Sequence, residues 1–67
     1  MMNIGKIKAS ELRLGDWVPL FGDGTFKVEK ITASGDTVIL DLKHPNGTVY
    51  TDWGIGKNVL MEVIRRL

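Results

Sequence analysis

The chain has 67 residues, nine Lys and Arg against eight Asp and Glu, one His and no Cys. There is room for one domain, which at this size buries only about 60% of the surface its unfolded form exposes, so its core must be compact or completed by a partner. A formal charge of +1 offers no overall attraction to nucleic acid, the absence of cysteine excludes a disulfide framework, and an apolar fraction of 43% is too high for a disordered chain.

In chain order, residues 1–6 lack the apolar run of a signal peptide, and no stretch approaches the ~20 apolar residues of a membrane span. With cysteine absent as well, a cytoplasmic location is expected. Residues 4–9 are expected to pair with the end of the chain. Ser10-Glu11-Leu12-Arg13-Leu14-Gly15 predicts one helical turn, with Ser10 as N-cap and Gly15 as a left-handed stop. Leu12 and Leu14 would then plug one end of the fold. Five strand-length runs follow, at 16–21, 25–32, 37–43, 48–53 and 59–66, separated by turn signals roughly every 8–12 residues.

Phe26 and Val28 share one face of the second run, but Ile31 falls out of step, and a bulge near Glu29 and Lys30 would restore it. The run 37–43 alternates cleanly, with Val38, Leu40 and Leu42 toward the core. Pro45-Asn46-Gly47 predicts a hairpin: proline presets the first turn position and glycine supplies the positive φ. Asn46-Gly47-Thr48 also spells a glycosylation acceptor, but without an export signal it is a turn. Trp53-Gly54-Ile55-Gly56 is expected to be a glycine-flanked loop. In residues 58–67, Leu60, Ile64 and Leu67 fit a helix while Val59, Met61 and Val63 fit a strand. The β-branched content favours the strand, with helix as the alternative. The expected fold is therefore all-β, a small barrel of about five strands with one short helical turn.

Residues 9–18 (Ala-Ser-Glu-Leu-Arg-Leu-Gly-Asp-Trp-Val), then Phe26-Lys27-Val28 and the closing Met61-Glu62-Val63-Ile64-Arg65-Arg66, resemble small SH3-like barrel proteins of bacteriophages and bacteria. More distantly the layout is similar to KOW and Tudor-type barrels. The resemblance implies an SH3-like fold and a phage or bacterial setting, with the host cytoplasm as the compartment if the chain is phage-encoded. It assigns no functional residue.

No catalytic constellation is present, and we expect neither an enzyme nor a cofactor. One histidine without cysteine cannot assemble the usual zinc ligand sets, and His44 before Pro45 is expected to be a solvated turn residue. Gly54-Ile55-Gly56-Lys57 is not a phosphate loop, since Thr51 stands where the first glycine is needed and Asn58 where Ser or Thr should follow. Asp16, Asp23, Asp36 and Asp41 are expected in turns and on the surface.

Two features point to binding. Trp53 and Ile55 on a loop, with Tyr50 nearby, are candidate anchors for an unidentified protein partner, against the plainer expectation that they cover the core. Trp17 faces the same choice and is expected in the core. Pairing of the terminal strands would also gather Lys6, Lys8, Arg65 and Arg66 into a patch for phosphate, or merely into a solvated edge. The leading expectation is a non-catalytic module engaging a protein through an apolar loop or a sheet edge. The alternatives are a nucleic-acid-binding barrel using the terminal cations, and a homo-oligomeric structural component.

Overall fold

The computed structural model describes residues 2–20, 22 and 24–66, with side chains from Ile4 onward. Phe21, at the end of the first expected strand run, lies outside the described residues, as do Asp23 of the 22–24 turn and Leu67. The chain is all-β, with six strands rather than about five: β1 (Met2–Lys8), β2 (Trp17–Pro19), β3 (Thr25–Ser34), β4 (Thr37–Lys43), β5 (Val49–Gly56) and β6 (Leu60–Arg66). They form one sheet in the order β1-β6-β2-β3-β4-β5, and every pairing is antiparallel. The C-terminal segment is a strand. It pairs with β1 from Met2↔Arg66 to Lys8↔Leu60.

Among the described residues no helix covers the sheet, and a single sheet then buries an apolar face only by curling around it. The buried side chains come from one face: Val18 of β2, Phe26 and Val28 of β3, Val38, Leu40 and Leu42 of β4, and Met61 and Val63 of β6. Ala9 and Leu12 complete this core from the β1–β2 connection. Each fully buried Val, Leu or Phe contributes about 1.5–3 kcal/mol. The pairings run in a single line, with β1 and β5 at its ends.

Two bulges shape the sheet. Val28 faces Leu42 but Lys30 faces Asp41, so Glu29 is the extra residue and Ile31 returns to the inner face opposite Leu40. On the other side of β4, Leu40 faces Trp53 and Leu42 faces Tyr50, so β5 carries an extra residue at 51–52. There Asp52 adopts φ 54, and its N–H donates to the Asp41 carboxylate at 3.1 Å. Asp41 is thus half-buried between two bulges rather than a free surface group.

The β4–β5 hairpin closes as expected. Gly47 has φ 97, its N–H donates to the His44 carbonyl at 2.9 Å, and the His44 N–H donates to the Thr48 carbonyl at 2.8 Å. His44 itself is only partly solvated. It is half-buried with its ring edge-on to Phe26 at 5.1 Å, and Nδ1 accepts the Asn46 N–H at 3.1 Å.

The helical turn is a 3-10 turn over Ala9–Glu11, capped at Lys8 and not at Ser10. The Glu11 carboxylate accepts the Lys8 N–H at 3.0 Å, while the Ala9 and Ser10 N–H groups donate to the Val59 and Lys57 carbonyls, both at 3.0 Å. Those donors are therefore satisfied by the lead into β6, and a serine cap is not needed. Gly15 does have φ 88, but it serves a later turn in which the Asp16 N–H donates to the Arg13 carbonyl at 3.1 Å. Leu14 sits on that turn and is 67% exposed, so only Leu12 plugs the fold.

Candidate functional site

Trp53, Gly54, Ile55 and Gly56 do not form a loop. They are the end of β5, neither glycine has a positive φ, and the turn follows at residues 57–58. Register then sets their direction: Trp53 faces Leu40 and Ile55 faces Val38, so both lie on the inner side and pack partly against the core. Tyr50, opposite Leu42, is also on that side. Its ring stacks on Phe26 at 5.0 Å, yet 38% of the residue stays exposed.

These side chains stay partly open because their strand is the last in the sheet. β4 pairs with one side of β5, and among the described residues no strand pairs with the other. Across the opening, β6 meets β2 only at Trp17↔Ile64, so the early part of β6 also lacks a neighbour on that side. The result is a groove of about 440 Å³. Trp53 and Ile55 form one wall and the edge of β6 the other, with Val59 and Met61 lining it and Leu60 and Glu62, of outward phase, at its rim; Pro19 and Leu20 close one end, and Glu62 is the one charged residue among the described lining residues. Val59 and Leu60 are 48% and 64% exposed.

The four terminal cations are not assembled into one patch. In the β1–β6 ladder Lys6 faces Glu62 and Lys8 faces Leu60, on the outer side of the sheet. Arg65 shares the inward phase of Met61 and Val63 and is already engaged. Its Nε and Nη2 donate to the two Asp16 carboxylate oxygens at 2.9 and 2.8 Å, and Nη2 also reaches the Glu11 carbonyl at 3.3 Å. Asp16 is buried, at 2% exposure, and is not the surface residue expected. Its carboxylate also accepts the Arg13 N–H at 2.8 Å. Burial opposes ionisation of Asp16, but the Arg65 and Arg13 hydrogen bonds and the two guanidinium charges outweigh it and hold the carboxyl below its ordinary 3.8. This bidentate clasp ties the 13–16 turn to β6 across 49 residues of sequence and is structural.

Trp17 is not core. Val18 takes the inward position, and Trp17 lies half-buried on the outer face between Ile64 and Lys27. The only sequence signal for this was its alternation with Val18. The Asp16–Arg65 pair had no local signal at all.

The fold and these surfaces define a small all-β chain whose sheet leaves one apolar groove beside a free edge. Comparison with protein-family models, curated proteins and solved structures finds no match to the chain. Among the described residues no helix is long and apolar enough to cross a membrane.

Proposed function

We propose that the protein is a non-catalytic binding module that engages an extended segment of a protein partner along β5. The observation that carries this is the coincidence of an unpaired strand edge with the groove formed by Trp53, Ile55, Val59 and Leu60. An added strand would satisfy the free backbone groups of β5, and alternate apolar side chains of the segment would fill the groove. Trp53 and Ile55 anchor the segment from one side and Leu60 from the other. Tyr50 extends the same strip toward the hairpin.

The cleanest probe is Leu60→Ser, because Leu60 is 64% exposed and its loss removes apolar surface at the groove's rim at little cost in stability. Peptides selected from a displayed random library against the wild-type chain should carry apolar residues at alternate positions and shift the amide resonances of β5. They should bind Leu60→Ser at least tenfold more weakly. Selected peptides that bind the two proteins equally, or that shift β1 and leave β5 unchanged, would reject the groove as the contact.

A further inference from the structure

The outer face carries a second arrangement that the groove does not use. Successive registers place Ile4, Ile64, Trp17, Lys27, Lys43 and Val49 in one row across all six strands. Ile4, at the end of this row, is 75% exposed. Of the other outward lysines within the strands, Lys6 faces Glu62 and Lys30 faces Asp41, while Lys8 faces the apolar Leu60. Lys27 instead faces Lys43 directly. Like charges opposite one another in a ladder weaken the sheet, so this pair is a cost to folding that an external anion would remove. Neither lysine has a carboxylate within ion-pair distance among the described residues. Trp17 lies on the adjacent strand facing Lys27, and a depression of about 230 Å³ is lined by Trp17, Lys27, Glu29, Lys43, His44 and Pro45.

We propose that this face binds single-stranded nucleic acid, with a base stacked on Trp17 and backbone phosphates held by Lys27 and Lys43. The chemistry discriminates among anions. An acidic peptide would satisfy the lysines but leave the indole unused, whereas a strand that alternates phosphates with aromatic faces engages both within two strand spacings, about 10 Å. Glu29, at the bulge, opposes the ligand and limits affinity. The site is separate from the groove at β5 and does not depend on it.

The test is fluorescence anisotropy of labelled oligo-dT and oligo-rU with the full chain, at several salt concentrations. Wild-type binding should be saturable and weaken with salt. Trp17→Ala should lose about 5–150-fold and Trp17→Phe should recover most of it, as stacking requires. Lys27→Gln with Lys43→Gln should lower the slope of log K against log salt by about 1.4, at about 0.7 per phosphate contact. Glu29→Gln should tighten binding, and neutralising Lys8 and Arg66 should leave the Trp17 dependence intact. Absence of wild-type binding, an unchanged slope in the lysine variant, equal affinity of Trp17→Ala, or equal binding of a duplex or of polyglutamate would each overturn the proposal.

Discussion

Replacing Asp16 by Asn tests the central electrostatic feature of the fold. The substitution keeps the shape of the side chain but removes the charge that accepts from Arg65 through two oxygens and from the Arg13 N–H. Removing one partner of a buried pair costs about 3–5 kcal/mol. Here the Arg65 side chain is 19% exposed against 3% for Asp16, so the stranded guanidinium can turn toward water, and we expect about 3 kcal/mol. A chain of this length is stable by roughly 3–10 kcal/mol in total, so the variant should be marginal at neutral pH. Urea or thermal unfolding reads the loss directly, with about 4–8 °C of Tm for each kcal/mol. Because the folded-state pKa of Asp16 lies below its unfolded value, the clasp contributes fully above the unfolded value of 3.8 and is lost as pH falls through the folded one. The gap between wild type and Asp16→Asn should therefore be wide at pH 7 and shrink as the pH drops below 4. Arg65→Met combined with Asp16→Asn should cost less than the two single losses together. A gap under 1 kcal/mol at pH 7, or one that persists unchanged in acid, would refute the clasp.

Two glycine substitutions test the turns, and a third, at a strand end, serves as their control. Gly24→Ala forces φ +98 on an L-residue and sets its Cβ 2.6 Å from the His44 Nε2, so unfolding experiments should show a loss of about 1–3 kcal/mol, part of it relieved when His44→Ala is added. Gly47→Val should likewise cost about 1–3 kcal/mol, because its φ of +97 opposes a β-branched side chain although no atom crowds the site. Gly56→Ala, at a position without positive φ and with only Val59 Cγ2 at 3.3 Å, should stay within about 0.5 kcal/mol of wild type, and equal losses at residues 47 and 56 would contradict the hairpin geometry.

What could be read before folding follows from how local each cause is. The alternation of Val38, Leu40 and Leu42 fixes a strand and its buried face within a few residues, and all three are buried. The three-residue step from Val28 to Ile31 announces a bulge because both side chains are aliphatic and belong inside. The same step from Tyr50 to Trp53 went unread, since either aromatic tolerates a half-exposed position and nothing forces both to one face. Reading Trp53 to Gly56 as a loop rested on glycine spacing, and glycine tolerates extended backbone as well as it does turns. Asp16 and Arg65 belong to segments that meet only when β6 pairs with β1 and β2, so no window of sequence contained their contact.

The bulges on either side of β4 also explain how one thin sheet presents two different surfaces. Strict alternation would send Tyr50 and Trp53 to opposite faces, and likewise Val28 and Ile31. The extra residue at 51–52 turns Tyr50, Trp53 and Ile55 together toward the inner side, where they line the strip along the free edge of β5. The extra residue at Glu29 leaves Lys27 and Lys30 both outward while Val28 and Ile31 stay inside, which puts Lys27 opposite Lys43 and beside Trp17. Asp41 sits between the two irregularities, opposite Lys30 in the ladder on one side and accepting the Asp52 N–H on the other. An inner apolar groove and an outer row of indole and lysines are thus consequences of the same two register shifts, and the core of Phe26, Leu40 and Leu42 between them holds both in place.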